Sequence, residues 1–221
     1  MRTWCWICVG EQFFLSLFLL VVVFSSIMLV YGGNGIERIS SFVVYYGDNR
    51  VEELRMFDLA ILSPLLEEEI VELNNYGVIT IGYVSLTTVG GWEPWAKNVS
   101  DDLVVGSYVE WREKTVNACD CRWEEILLDQ AIPYILGKGF KGIFLDNLDM
   151  VDNYPFMKNC VRKIIRDIRR KYPSIIIVVN RGFAIVEDIA PYVDAVLFED
   201  FGTYYDFSKK QYLKWSGSDY V

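Results

Sequence analysis

The segment GFKGIFLDNLDMVD, residues 139–152, joins a short apolar run to an acidic end. Residues 142–145 carry no polar side chain, and aspartates follow at positions 146, 149 and 152. A short buried strand that runs straight into polar residues is typical of parallel sheets, whose functional groups lie beyond the carboxyl ends of the strands. The segment therefore predicts a strand of an α/β fold with a polar site at its end.

Similar apolar runs lie on both sides of this segment. They are SFVVYYG (41–47), DLAILSP (58–64), VITIGYVSL (78–86), SIIIVVNRG (174–182) and DAVLFED (194–200). Helical stretches are predicted between them, at residues 50–57, 65–77, 122–138 and 155–172, with Gly77 ending the second and Pro133 kinking the third. Near-continuous apolar strands separated by helices indicate a parallel sheet covered on both faces, either a doubly wound sheet or a (βα)8 barrel. No glycine-rich phosphate-binding motif follows the first strand, which weighs against a nucleotide-binding sheet.

The predicted helix at 155–172 has the clearest two-sided pattern. Its apolar stripe comprises Phe156, Cys160, Val161, Ile164, Ile165 and Ile168. The opposite side is basic, which is usual for the solvated back of a helix that packs on a sheet.

Composition excludes several functional classes. The chain of 221 residues contains no histidine, which rules out Ser-His-Asp and Cys-His catalysis and histidine-bound zinc or haem. Its net charge of −9 argues against a nucleic-acid partner, which requires a clustered cationic surface. Proton transfer in this protein must therefore use carboxylates, tyrosine, lysine or cysteine.

The N-terminal region is a separate unit. Residues 13–31 are uncharged, and as a helix they would span about 28 Å, close to the apolar thickness of a bilayer. We interpret residues 1–35 as a signal-anchor helix or a cleaved signal peptide, followed by a glycine-rich hinge. The second unit, residues 36–221, is then expected on the extracellular side of the cell membrane, either anchored or secreted.

Three cysteines lie in the second unit. They allow one disulfide, between Cys160 and either Cys119 or Cys121. Unpaired buried thiols are an equal alternative.

Polar residues end the last three predicted strands. Because side chains alternate along a strand, Asp146, Asn180 and Glu199 each continue the row that faces one side of the sheet. Two carboxyl groups in one pocket are the minimum equipment for cleaving a glycosidic bond. Each residue has an alternative interpretation. Asp146 could cap a helix, and Glu199 could lie in a solvated loop. The aspartates at 146, 149 and 152 could bind calcium.

Aromatic residues lie at or beyond the ends of the first and third strands, where their flat faces suit sugar rings. They are Tyr45, Tyr46, Tyr83, Trp92 and Trp95. An amino sugar would add cation–π contact and attraction to the acidic pocket. The alternative is that they are ordinary core aromatics.

The strands listed above, with WEEILLDQA (123–131), resemble glycoside hydrolase family 114, the endo-α-1,4-polygalactosaminidase-type enzymes and their spherulin-like relatives, over about residues 40–205. The resemblance is most specific at GFKGIFLDNLDMVD and VLFED. It implies a (βα)8 TIM barrel and an endo-acting glycosidase that needs no cofactor and cleaves galactosamine-containing polysaccharide. It assigns Asp146 as nucleophile or stabiliser and Glu199 as acid/base, and it implies that Tyr83, Asp149 and Asn180 shape the sugar subsite.

Two features depart from the family pattern. Ser63 stands at the end of the second strand, where relatives carry aspartate. The chain also ends about twenty residues after the sixth strand, in a tail for which we predict no strand pair, whereas a full barrel needs two more strand–helix units. We therefore expect an incomplete barrel that lacks a C-terminal segment or a partner chain. The alternative function is a non-catalytic, truncated or degenerate surface protein that binds polysaccharide.

Overall fold

The computed structural model describes residues 21–22, 36–206 and 208–215. The strands in these ranges are β1 (Val21–Val22), β2 (Phe42–Tyr45), β3 (Leu59–Leu62), β4 (Ile79–Ser85), β5 (Thr88–Val89), β6 (Val104–Tyr108), β7 (Glu113–Val116), β8 (Gly142–Asp146), β9 (Ile176–Asn180), β10 (Ala195–Leu197), β11 (Thr203–Asp206) and β12 (Gln211–Lys214). The α-helices are α1 (Val51–Leu54), α2 (Glu68–Asn75), α3 (Cys121–Ile126), α4 (Ile132–Gly137), α5 (Met150–Asn153), α6 (Lys158–Lys171) and α7 (Val186–Ile189).

The main sheet has the order β1-β2-β3-β4-β8-β9-β10. Its strands from β2 to β10 are all parallel, whereas β1 runs antiparallel to β2. These six parallel strands are the six predicted from sequence, and they curl into half of a TIM-type barrel. Their carboxyl ends therefore lie along one rim.

The two faces of the sheet have different partners. Phe42, Leu59, Ile81, Phe144 and Val178 belong to an apolar cluster on the concave face, which corresponds to the interior of a barrel. The residues that alternate with them pack in a second cluster with the helices on the convex face. This alternation is the pattern that places the strand-end side chains.

The helices follow their predicted ranges with local differences. Helix α2 ends at a Schellman motif in which Gly77 has a φ of 87° and the N–H groups of Gly77 and Val78 donate to the carbonyls of Asn74 and Leu73. The stretch around Pro133 is divided, because a π-helical segment, Leu127–Ala131, separates α3 from α4. The predicted interruption is therefore present, and it begins before the proline.

Helix α6 buries most of its predicted stripe. Val161, Ile164, Ile165 and Ile168 are buried on the convex face. The assignment of Phe156 to this stripe is wrong, since Phe156 lies in a 3-10 turn before the helix and is 56% exposed.

Two antiparallel elements were not predicted. Strands β5, β7 and β6 form a three-stranded sheet between β4 and α3, which we call the accessory sheet. Strands β11 and β12 form a hairpin near the C-terminus, so the prediction that the tail holds no strand pair is wrong. The hairpin turns at Lys210, which has a φ of 51°. Lysine is not a residue that signals such a turn.

A disulfide joins Cys119 to Cys160 and leaves Cys121 exposed as a free thiol. This is one of the pairings left open by the sequence. The bond links the loop before α3 to the first turn of α6.

Most of the predicted N-terminal helix, residues 13–31, lies outside the described residues. Val21 and Val22 are described, and they form strand β1. Among the helices that the structure describes, none combines the length and the apolar character needed to cross a bilayer.

Candidate active site

Three polar side chains meet at the rim where the parallel strands end. Asp146 is the last residue of β8 and Asn180 the last residue of β9, while Glu199 follows β10 by two positions. Each follows by two positions a side chain that packs on the concave face, and therefore points to that face. These preceding residues are Phe144, Val178 and Leu197. The structure thus brings together the three residues that strand alternation had placed on one face.

The side-chain amide of Asn180 bridges the two carboxyl groups. Its Nδ2 donates to Asp146 Oδ1 at 2.8 Å and to Glu199 Oε2 at 2.6 Å. Because both oxygens bind one nitrogen, they lie no farther apart than the sum of these distances, about 5.4 Å. Asn180 is buried, and its Oδ1 has no hydrogen-bond partner among the described residues. The site therefore holds a close carboxyl pair on a fixed amide.

Burial raises the pKa of both carboxyl groups, but their surroundings differ. Desolvation is the largest influence on Asp146, and it is opposed by hydrogen bonds from Asn180, the backbone of Asn147 and Tyr83, each of which lowers the pKa. For Glu199, desolvation and then the charge of Asp146 raise the pKa to about 7, although solvent reaches this side chain. Near neutral pH a large fraction of Glu199 is therefore protonated, whereas the three hydrogen bonds to Asp146 favour its ionised form.

Aromatic rings form a wall beside the pair. Tyr83 lies on β4 with its ring centroid 5.2 Å from that of Tyr46 and 6.2 Å from that of Trp92. Trp92 is 45% exposed, so part of its side chain is open to a ligand. Tyr46 belongs to this wall through the alternation of β2.

Tyr45 and Trp95 lie apart from the wall. Tyr45 packs against the convex cluster, and its hydroxyl donates to the carbonyl of Asp48 at 3.0 Å. Trp95 is buried against Tyr134. Neither residue is brought to the rim beside the carboxyl pair.

Asp149 faces the rim from the loop after β8. Its Oδ2 lies 3.3 Å from Arg181 Nη1, and the same nitrogen lies 3.8 Å from Asp200 Oδ2. The guanidinium therefore connects the loops that follow β8, β9 and β10.

The described residues contain no group of three or more acidic, histidine or cysteine side chains placed to hold a metal. The calcium alternative for the aspartates at 146, 149 and 152 is therefore not supported.

Each of the three strand-end residues is followed by a non-glycine residue with positive φ. The angles are 61° at Asn147, 53° at Arg181 and 59° at Asp200. Such conformations persist where their surroundings enforce them, and they concentrate at functional sites. None of the three residues is a glycine, so the sequence carries no signal for this backbone geometry.

A polar cluster that the sequence did not predict joins the rim near Asp146 to the accessory sheet. It contains Ser85, Thr87, Thr88, Glu93 and Glu113, all of them buried or partly buried. Thr88 contacts Glu113 on β7, and the Glu93 carboxylate accepts from the Gly90 N–H at 3.0 and 3.1 Å. No single segment of the sequence contains this cluster, because its members are joined only by folding.

The fold and the rim are those of an incomplete (βα) barrel with two carboxyl groups at the carboxyl ends of its strands. The profile of glycoside-hydrolase family GH114 matches residues 44–216, so the chain belongs to that family and is a glycosidase. No curated protein sequence matches it.

Solved structures with the same fold include a glycoside hydrolase domain and a protein in complex with galactosamine. The glycoside hydrolase domain of PelA from Pseudomonas aeruginosa is 22% identical with a TM-score of 0.70, and the match covers 82% of this chain and 75% of that one. Ega3 from Aspergillus fumigatus, solved in complex with galactosamine, is 18% identical with a TM-score of 0.61, covering 70% of this chain and 64% of that one. At these identities the likeness concerns the fold.

Proposed function

We propose that the chain is an endo-acting hydrolase of amino-sugar polysaccharide, with α-1,4-linked polygalactosamine as its substrate and Asp146 and Glu199 as its catalytic residues. The observation that carries this proposal is the Asn180 amide, which binds both carboxyl groups at once. A single buried donor holding two acidic side chains at a strand rim has no evident structural purpose, whereas glycosidic cleavage requires such a pair.

The separation of the two groups favours a double-displacement mechanism. Their bridged oxygens lie within about 5.4 Å, near the ~5–5.5 Å of retaining enzymes and short of the ~6.5–9.5 Å of inverting ones. In the first step the Glu199 carboxyl proton passes to the glycosidic oxygen while Asp146 attacks the anomeric carbon, forming a glycosyl ester and releasing the reducing-end fragment. In the second step Glu199 takes a proton from water, which attacks the same carbon and frees Asp146.

An amino sugar fits the charge and shape of this rim. Asp146, Asp149 and Glu199 are acidic, and Tyr83 and Trp92 line the same side. A protonated sugar amine gains electrostatic attraction from the carboxylates, and its ring can stack on the indole face. The galactosamine bound to Ega3 is consistent with this class of substrate.

We further propose that the protein works outside the cytoplasm. The Cys119–Cys160 disulfide supports this location, because such bonds persist mainly in oxidising compartments. Residues 13–31 would then act as the export signal or the membrane anchor. Peptide mapping of the N-terminus of the exported protein distinguishes the two, since a cleaved signal leaves no peptide from this segment.

Reducing-end release by the full chain tests the proposal. The substrates are α-1,4-polygalactosamine, the same polymer after full N-acetylation, and a neutral α-1,4-glucan. We expect oligosaccharide release from the first polymer, weaker release from the second because the cationic amine is lost, and none from the third. Binding of polygalactosamine without any release would contradict hydrolysis and favour the non-catalytic alternative.

A further inference from the structure

Asn147, which follows the proposed nucleophile, is held by three hydroxyl groups that we call the hydroxyl clamp, from Ser85, Thr87 and Thr88. Its Nδ2 donates to Ser85 Oγ at 3.0 Å and to Thr88 Oγ1 at 2.9 Å. Its carbonyl oxygen accepts from Thr87 Oγ1 at 2.7 Å. These bonds fix both ends of the residue, which accounts for its left-handed backbone.

The hydrogen bonds of the clamp form a chain in which each hydroxyl donates to the next group, and the last acceptor is Glu113. The hydroxyls of Ser85 and Thr88 lie 2.6 Å apart, and Thr88 also donates to the Glu113 carboxylate. Each hydroxyl has one proton, so if Thr88 donates to Glu113, Ser85 must donate to Thr88. Both hydroxyl oxygens can then accept the two protons of the Asn147 amide. The carboxylate on β7 thus orients the whole chain of bonds.

The fixed residue acts on Asp146 through its backbone. The Asn147 N–H belongs to the peptide group that joins the two residues, and it lowers the pKa of the Asp146 carboxyl, as do the side chains of Asn180 and Tyr83. A backbone donor held in place stabilises the ionised form without needing to reorganise.

We infer that Asn147 is a positioning residue, and that the hydroxyl clamp and Glu113 fix its backbone and with it the N–H beside the Asp146 carboxyl. This inference rests on the proposed function, since it takes Asp146 as the nucleophile. It also assigns a role to the accessory sheet, because Glu113 on β7 is hydrogen-bonded through Thr88 to Asn147 at the barrel rim. The ionisable or polar groups that face Asp146 are Tyr46, Tyr83, Glu113, Asp149, Asn180 and Glu199.

The test uses paired variants of the full chain. Thr88→Val removes the hydroxyl and keeps the shape, while Thr88→Ser keeps the hydroxyl. Glu113→Leu removes the terminal acceptor, while Glu113→Gln keeps an acceptor oxygen. The control is Thr80→Val, since Thr80 is also a buried threonine but lies near the start of β4, where its hydroxyl donates to Asn74.

Two readouts separate positioning from a general loss of stability. The first is the titration of the Asp146 carboxyl by 13C NMR, assigned by comparison with Asp146→Asn. The second is kcat and KM on polygalactosamine. For Thr88→Val and Glu113→Leu we expect the Asp146 pKa to rise by about one unit and kcat to fall about tenfold, with KM changed less than about twofold. Thr88→Ser, Glu113→Gln and Thr80→Val should stay close to the wild type.

The inference is overturned if Asp146 titrates in Thr88→Val and Glu113→Leu as it does in the wild type. If Thr88→Val does not fold, the Glu113 pair decides, because that side chain lies at the edge of the site and is partly exposed. The NMR titration does not depend on turnover. An inactive wild type would therefore refute the proposed function, while the titration would still test whether the hydroxyl clamp affects the Asp146 carboxyl.

Discussion

Asn180 Nδ2 lies 2.6 Å from Glu199 Oε2, and its other proton goes to Asp146 at 2.8 Å. This contact places two acidic side chains in one environment, where each affects the ionisation of the other. The pH behaviour of the protein, its stereochemistry and its sensitivity to substitution follow from that arrangement.

Activity should fall as pH rises through about 7. Desolvation, followed by the charge of Asp146, raises the pKa of Glu199 to about 7, and the acid catalyst must be protonated to donate. We expect kcat/KM to drop about tenfold per pH unit above this value. Circular dichroism over the same range controls for unfolding. A basic limb near the usual pKa of glutamate would contradict the assignment of Glu199 as the acid.

Removing the charge of Asp146 should lower the pKa of Glu199. The neighbouring carboxylate disfavours ionisation of Glu199, so Asp146→Asn takes away one of the causes of its raised pKa. The 13C shift of the Glu199 carboxyl followed against pH gives the value directly. Asp129→Asn is the matched control, because Asp129 pairs with Lys171 on the surface. Equal Glu199 titration in Asp146→Asn and the wild type would show that the two groups are not coupled.

The first product of hydrolysis should keep the anomeric configuration of the substrate. The bridged carboxyl oxygens lie within about 5.4 Å of each other, nearer the spacing of retaining enzymes than that of inverting enzymes. Proton NMR during the first minutes of digestion of an α-linked polymer should show α anomers before mutarotation. Initial appearance of β anomers would exclude Asp146 as a nucleophile.

The Cys119–Cys160 bond should contribute about 4 kcal/mol to stability. It closes a loop with a sequence separation of 41 residues, and loops of this length restrict the unfolded chain substantially. The Cys119→Ser/Cys160→Ser variant should melt about 10 °C below the wild type in calorimetry. Cys121→Ser is the control, since that thiol is free and exposed, and it should leave the melting temperature unchanged. An equal loss in the control would show that the disulfide is not the cause.

The sequence predicted the rim well because a strand repeats every two residues. Once Phe144 and Leu197 are taken as concave-facing, Asp146 and Glu199 must follow on the same side, and the structure agrees. The prediction that Tyr45 lines the sugar site was wrong. It relied on the position of Tyr45 near a strand end, which does not determine the face of the sheet to which the side chain points. Tyr46, one position later, is the residue beside Tyr83.

The accessory sheet and the hydroxyl clamp were beyond prediction for physical reasons. The pairing of β6 with β7 has a register shift between Val104 and Gly106, and no typical turn sequence joins the two strands. The clamp joins Ser85 and Thr88 to Asn147, about sixty positions away. Such contacts depend on a left-handed backbone that a single sequence does not display.

Reducing-end release from polygalactosamine by three forms of the full chain tests the central claim most directly. The forms are the wild type, Asp146→Asn and Glu199→Gln, compared at equal concentration and with folding checked by circular dichroism. If the two carboxyl groups act together, the wild type releases oligosaccharides and each variant is slower by at least about a thousandfold. Wild-type rates in either variant would contradict the account.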